Sequence, residues 1–98
     1  MTQIKTIECI VCEHTGLDYQ SIYGKSRKAD CVFARRLICV FGVKYAGLKQ
    51  IELARMFGLD HSTILHHLKN FDYDIAYDNN RRTLAKRIED EIQKCSIS

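Results

Sequence analysis

The amino-acid sequence predicts an all-α domain of about five to six helices, and three observations lead to that prediction. The chain contains no proline and only five glycines, so few positions interrupt a helix. Apolar residues recur at three- and four-residue spacing along most of the chain, which is the period of one helix face. A hydrophobic fraction of 46% in 98 residues suffices for one core, and residues 1–98 are therefore expected to form a single domain.

The first predicted elements are a short amphipathic helix and a capped turn. Residues 4–15 carry an apolar stripe at helical spacing and end before Gly16, a residue suited to a helix C-terminus. Residues 17–23 form a short connection, in which Asp18 is placed to cap one helical turn.

A basic loop and a long central helix follow. Residues 24–28 read GKSRK, a composition typical of a flexible cationic loop. The helix that begins near Asp30 and ends near Tyr45 is apolar on more than one side, which predicts a central position. Arg35 and Arg36, in its first turns, are expected to face outward.

The middle of the chain has the marks of a helix-turn-helix, with a first helix over residues 48–57 and a second over residues 60–70. Ala54 is small where two helices must approach, Gly58 suits a tight turn because glycine adopts positive φ without steric cost, and Ile64 can lock the second helix onto the first. The outward positions of the second helix hold polar groups sized for base edges and phosphates, namely Asp60, His61, Ser62, Thr63 and His66.

The last third of the chain predicts one more helix after an ambiguous segment. Residues 71–80 are acidic and aromatic, and they are compatible with a continued helix or with a turn at residues 79–80. Residues 81–95 predict a helix with an apolar stripe of Leu84, Ile88 and Ile92. This stripe is expected to face the core, and the alternative is that the C-terminal helix uses it to bind a protein partner.

The charge is distributed unevenly along the chain. Residues 24–71 carry nine basic and three acidic residues, a net charge of +6, whereas residues 1–23 carry −2 and residues 72–98 carry −1. A basic middle between acidic ends predicts one cationic surface suited to a polyanion. Because Lys5 and Glu8 interrupt the first ten residues, this segment is neither a signal peptide nor a membrane span.

The cysteines and histidines predict no metal site. Five cysteines, an odd number, indicate reduced thiols in a cytosolic protein. Cys9 and Cys12 have CxxC spacing, but no second pair at ligand spacing follows. The spacing of His61, His66 and His67 does not bring them to one helix face, and His67 is expected to be partly buried.

Neither a nucleotide site nor a catalytic site is predicted, so no cofactor is expected and the chain is interpreted as a non-enzyme. The GKS run at residues 24–26 resembles the end of a P-loop, but Tyr19 stands where that motif needs glycine, and no apolar strand precedes it. Ser62 lies near His61, but a serine at a helix start normally serves as a cap or a phosphate donor.

Three segments, residues 24–28, 34–36 and 57–66, together resemble the C-terminal DNA-binding domain of the bacterial replication initiator DnaA. The recognition signature of that family is Asp-His-(Ser/Thr)-Thr-(Val/Ile)-Leu-His, and residues 60–66 match it throughout. The similarity runs from Ile4 to about Ile92. The resemblance implies a helical fold of the Trp-repressor-like type and binding of double-stranded DNA at a site like a DnaA box.

The resemblance also implies a role for individual side chains. Arg27 would enter the minor groove. Base edges in the major groove would be contacted by Asp60, His61 and Ser62. Phosphate or sugar would be contacted by Lys25, Arg35, Thr63 and His66, and positive charge extends this set to Lys28 and Arg36.

The chain departs from the family pattern at three points. Ala34 stands where the family commonly has proline. Gly58 and Leu59 lead directly into Asp60, one residue shorter than usual, which removes a cationic contact. The chain also lacks the ATPase domain of the family, so ATP-driven origin opening is not implied.

Three functions are compatible with these patterns. The first is a sequence-specific duplex-binding module, either excised from an initiator or a stand-alone DnaA-like protein in the cytoplasm at the nucleoid. The second is a small transcription regulator that uses the same DNA-binding face. The third is a helical protein-interaction module without DNA binding, supported by the acidic, tyrosine-bearing residues 72–78. Met1, followed at once by helix-forming residues, favours a complete gene product.

Overall fold

Six helices account for most of the described chain, in agreement with the predicted all-α class. The computed structural model describes residues 2–24 and 26–97, with side chains up to residue 95. In chain order the helices are α1 (Ile4–Thr15), α2 (Tyr19–Tyr23), α3 (Ala29–Ala46), α4 (Gln50–Phe57), α5 (His61–Tyr77) and α6 (Asn79–Ile97). No strand occurs in these residues, and none of these helices combines the length and apolar character that crossing a membrane requires.

The end of α1 and the start of α2 follow from the local sequence as predicted. Gly16 takes a φ of 72° after α1, and its N–H donates to the Cys12 carbonyl at 2.9 Å. The Asp18 carboxylate accepts a hydrogen bond from the Ser21 N–H at 2.8 Å. The capped turn predicted between residues 17 and 23 is therefore confirmed.

The helix α5 is longer than the predicted second helix of the helix-turn-helix. It continues to Tyr77, because Phe71 and Ile75 pack against the core and make the extension part of the fold. The Arg82 guanidinium donates to the Ile75 carbonyl at 2.6 Å, which satisfies an acceptor in the last turns of the helix. The alternatives left open for residues 71–80 are thus resolved in favour of a continued helix, followed at once by α6.

The helix α3 lies at the centre of the core and contacts each of the other five helices. Fully buried side chains meet there from all six helices, among them Ile7, Ile22, Leu37, Leu53, Ile64 and Ile92. Burial of each such side chain stabilises the fold by roughly 1.5–3 kcal/mol. Ile88 and Ile92 of α6 are both completely buried, so the predicted core orientation of the stripe on the last helix is confirmed.

An ionic cluster joins α3, α5 and α6 beside this apolar core. The Asp74 carboxylate accepts hydrogen bonds from Arg36 and, at 3.0 Å, from Arg81. The Nε–H of Arg36 also donates to Nδ1 of His67 at 3.3 Å. Arg36, His67 and Asp74 are all buried, so the prediction that Arg36 faces outward is wrong, whereas the predicted burial of His67 is confirmed. Asp74 supplies the partner charge that lets the guanidinium leave water.

A candidate nucleic-acid interface

A tight turn joins α4 to α5 and gives the helix-turn-helix its shape. Gly58 takes a φ of 63°, the left-handed conformation predicted for this position. The N–H of Leu59 donates to the Ala54 carbonyl at 2.9 Å, which closes the turn over the end of α4. Leu53 and Ile64 are completely buried and lock the two helices together. The start of α5 is therefore held at a fixed angle to the rest of the domain.

Polar side chains project from the first turn of α5. Asp60 occupies the N-cap position, is exposed, and forms no side-chain hydrogen bond to the helix, so its carboxylate remains available to a ligand. His61 and Ser62 are exposed beside it, and Thr63 is half-buried. The N-terminus of a helix carries partial positive charge, which favours a phosphate nearby. This end of α5 can thus offer hydrogen-bond donors and acceptors to base edges, and its partial positive charge attracts the phosphates of a nucleic-acid backbone.

The basic loop is anchored at its start by α2 and α3. The Arg35 guanidinium donates to the Gly24 carbonyl at 2.6 Å and to the Ile22 carbonyl, and thereby grips the end of α2. A β-carbon on Gly24 would lie 2.6 Å from the Gln20 carbonyl oxygen, so glycine is needed where the loop leaves α2. These contacts therefore fix the direction of the backbone where it leaves α2 and begins the loop.

An aromatic stack connects this anchored segment to the helix-turn-helix. The rings of Tyr23 and Phe57 are parallel within 17°, with centroids 4.6 Å apart. Tyr23 is the last residue of α2, and Phe57 is the last residue of α4. Burial, together with a hydrogen bond from Tyr23 to Glu8, raises the pKa of Tyr23 well above its usual range, so this ring stays neutral. The start of the basic loop and the turn before α5 are thus joined by direct packing.

A cleft of about 500 Å³ lies between the basic loop and the turn of the helix-turn-helix. Arg27 lines it from the loop, and Gly58 and Leu59 line it from the turn. Arg27 is exposed, as are Asp60 and His61, which follow that turn directly. The structure consequently brings the loop arginine and the polar start of α5 to neighbouring parts of the surface.

The remaining predicted contact residues occupy different environments. Lys28 is exposed at the N-cap of α3, and His66 is exposed with its ring nitrogen 3.1 Å from the Asn70 amide nitrogen. Arg35 is half-buried and occupied with backbone carbonyls, and Arg36 lies in the buried ionic cluster, which removes it from any phosphate contact. Lys25 lies outside the described residues.

Sequence reasoning missed one exposed apolar group next to this surface. Ile51, on the first turn of α4, is 52% exposed and lines a shallow depression together with His61. The helical phase contained a signal for it, because Leu53 and Phe57 define the inward side of α4 and Ile51 falls away from them.

Replacing Arg35 by lysine or by alanine is expected to weaken duplex binding to a similar extent, by about tenfold, or roughly 1.4 kcal/mol. Lysine keeps the charge but cannot span several carbonyls with a planar fork. Fluorescence anisotropy would measure the affinity, and hydrogen exchange over residues 21–24 should accelerate in both variants. Full retention of affinity by the lysine variant would instead identify Arg35 as a simple phosphate contact.

Comparisons with known proteins agree with this geometry. A family model described as the bacterial dnaA protein helix-turn-helix matches residues 4–70. The chromosomal replication initiator protein DnaA of Bacteroides thetaiotaomicron is 28% identical over 86 residues, which is 87% of this chain and 18% of the relative. The proteins of the same name from Bacteroides fragilis and Chlorobaculum tepidum are 28% and 33% identical over 91% and 88% of the chain. The chain spans less than a fifth of the length of these three relatives.

Proposed function

Because the chain belongs to the bacterial DnaA helix-turn-helix family, and is thus a DNA-binding domain of that type, we propose that it reads a specific double-stranded sequence through two adjacent grooves. The start of α5 enters the major groove, and the basic loop enters the neighbouring minor groove. The observation that carries this proposal is the cleft that Arg27 shares with the turn at Gly58 and Leu59.

The major-groove contacts are assigned to Asp60, His61 and Ser62. An aspartate can accept a hydrogen bond from the amino group of cytosine, and a neutral imidazole or a hydroxyl can bond to a base edge. The exposed Ile51 beside His61 adds an apolar group of the kind that packs on a thymine methyl. Specificity therefore resides in a few side chains at the start of α5, together with Ile51 of α4.

The minor-groove and backbone contacts supply most of the affinity. Arg27 is assigned to the minor groove, where the negative potential is enhanced when the groove is narrow. Phosphate and sugar contacts are assigned to Lys25, Lys28, Thr63 and His66. Arg35 is assigned a positioning role instead, since its donors already bind carbonyls at the end of α2.

The biological setting is proposed from the relatives, which are replication initiators. We infer sites similar to DnaA boxes at a replication origin, and hence a place in the cytoplasm at the nucleoid. Occupation of the same sites by a small transcription regulator is the alternative. The function requires neither catalysis nor a bound nucleotide. Protein docking through the apolar stripe of the last helix is not favoured, because Ile88 and Ile92 are buried.

Selection from a randomised duplex pool at two salt concentrations tests this function. The wild-type protein should enrich a single short motif, and its affinity should fall steeply with salt in proportion to the phosphates it neutralises. His61→Ala should relax the preference at one base step by about 1–3 kcal/mol.

Lys28→Ala is the matched control, because a phosphate contact carries no sequence information. It should weaken all duplexes alike and leave the selected motif unchanged. An unchanged motif in His61→Ala, with equal losses on specific and random duplexes, would exclude His61 from base reading. Failure of the wild-type protein to enrich any motif would reject the proposed function.

A further inference from the structure

Glu8 is a buried acidic residue on α1, outside the surface assigned to DNA. It is 9% exposed, and Ile7 and Val11 on the same helix are completely buried. Glu8 belongs to none of the ion pairs among the residues that the structure describes. Burying an acid without a counter-charge is less favourable than burying an apolar side chain, so packing alone does not account for Glu8 at this position.

The hydrogen-bond partner of Glu8 is the hydroxyl group of Tyr23. This hydroxyl donates to a carboxylate oxygen of Glu8 at 2.6 Å, which is short for a hydrogen bond between two oxygens. The bond joins α1 to the last residue of α2. Because α1 packs against α3 and α6, the bond ties the Tyr23 hydroxyl to the body of the domain.

The Tyr23 ring connects this bond to the DNA-binding surface. Its face stacks on Phe57, with ring centroids 4.6 Å apart, and both rings line the cleft that contains Arg27. Stacking alone leaves a ring free to slide within its own plane, whereas a directional bond at the hydroxyl removes that freedom. The two contacts together give the ring one position, and the loop that carries Arg27 begins directly after it.

We propose that Glu8 is a positioning residue for the minor-groove contact, because it holds the Tyr23 ring from which the loop to Arg27 departs. The assignment of Arg27 to the minor groove rests on the proposed function. Glu8 itself does not touch DNA, and its effect passes through Tyr23 and the loop. The start of α5 is locked by other side chains, Leu53 and Ile64, so the major-groove contacts should not depend on Glu8.

Two substitutions remove the hydrogen bond from opposite ends. Tyr23→Phe keeps the ring and its stack but lacks the hydroxyl, and Glu8→Leu replaces the carboxylate by apolar atoms. Each should lower the affinity for the selected duplex about fivefold, the factor that corresponds to one hydrogen bond. Diaminopurine, which adds an amino group in the minor groove, should reduce the affinity of these variants less than that of the wild-type protein. The loss caused by 7-deazapurines in the major groove should stay the same.

Two conservative variants serve as controls, and fluorescence anisotropy would measure all affinities. Glu8→Gln keeps an acceptor for the Tyr23 hydroxyl and should bind DNA as the wild-type protein does. Tyr19→Phe removes the hydroxyl of the neighbouring tyrosine, which contacts Cys9 and does not line the cleft, and it should also bind normally. Circular dichroism would establish that each variant is folded at the temperature of the binding measurement.

A double-mutant cycle with Arg27→Ala separates positioning from a general effect on stability. If Glu8 acts through Arg27, Glu8→Leu should cause no further loss of affinity once Arg27 is replaced. Should Glu8→Leu fail to fold, Tyr23→Phe takes its place in the same cycle.

Three results would overturn the inference. Additive losses in the cycle would mean that Glu8 does not act through Arg27. Wild-type affinity and wild-type sensitivity to diaminopurine in Tyr23→Phe would show that the bond does not position the loop. An equal loss in Tyr19→Phe would remove the special role of the Tyr23 hydroxyl. Wild-type affinity in Arg27→Ala alone is a separate outcome, which would reject the proposed minor-groove contact and this inference with it.

Discussion

Replacing Asp74 by alanine is expected to lower the free energy of unfolding by about 3–5 kcal/mol, because it leaves a buried guanidinium without its counter-charge. Asp74 is the shared acceptor of Arg36 and Arg81, and the Arg36 side chain is only 10% exposed. Without the carboxylate, Arg36 must remain buried and unpaired or draw water into the junction of α3, α5 and α6. Urea denaturation followed by circular dichroism would measure the change.

The neighbouring aspartate provides the control for this measurement. Asp72 lies on the same helix but is exposed, so Asp72→Ala should change the free energy of unfolding by no more than about 0.5 kcal/mol. Equal and small effects of the two substitutions would mean that the ionic cluster does not hold these helices together.

Acid is expected to destabilise the protein through His67. Burial, assisted by the Arg36 charge, lowers the pKa of His67 to about 4 in the folded protein, against about 6.5 for a histidine exposed to water. The unfolded chain therefore binds more protons between these values, and stability falls as the pH falls through this window. Above about pH 6.5 His67 is neutral in both states and causes no loss of stability. Near pH 4 its protonation in the unfolded chain should lower the free energy of unfolding by about 3 kcal/mol. Urea titrations at a series of pH values would measure it.

Two histidine variants isolate this effect. His67→Asn keeps an acceptor for the Nε–H of Arg36 but has no group that gains a proton in this range. Between about pH 6.5 and about pH 4 its free energy of unfolding should therefore fall by about 3 kcal/mol less than that of the wild-type protein. His61→Asn, at an exposed histidine that is not among the charges acting on His67, should keep the wild-type pH dependence. If the free energy of unfolding of His67→Asn depended on pH as strongly as that of the wild-type protein, groups other than His67 would account for the acid sensitivity.

Local signals predicted the helix ends and the turn well. Gly16 and Gly58 both take the left-handed conformation that their positions suggested, and Asp18 caps α2. These features depend on a residue and its close neighbours, which a sequence displays directly. The polar start of α5 was predictable for the same reason, since a cap, a turn and an apolar lock stand within a few residues of each other.

The roles of the two arginines at the start of α3 could not be predicted in this way. Arg35 and Arg36 are adjacent, so their side chains point about 100° apart on a helix, and one turns toward α2 while the other turns toward α5. The partner of Arg36 is Asp74, 38 residues later in the chain. Only tertiary structure brings them together, and periodicity cannot show that a charged residue will be buried by an ion pair.

The connection between the basic loop and the helix-turn-helix is likewise a tertiary feature. The stack of Tyr23 on Phe57 joins residues that are far apart in the sequence, and neither ring stands out in its own segment. The family resemblance implied that Arg27 and the start of α5 bind one duplex. The stack and the Arg35 anchor supply a physical reason why the loop and the turn keep a fixed relation.

Groove-specific base substitution in the selected duplex tests the two-groove account most directly. Diaminopurine in place of adenine adds an amino group in the minor groove, and 7-deazapurines remove the N7 acceptor from the major groove. The wild-type protein should lose affinity with both substitutions, at adjacent positions of one short segment. Arg27→Ala should become insensitive to the minor-groove change alone, and His61→Ala to the major-groove change alone. A wild-type protein indifferent to the minor-groove change, or an Arg27→Ala variant that keeps both sensitivities, would contradict the account.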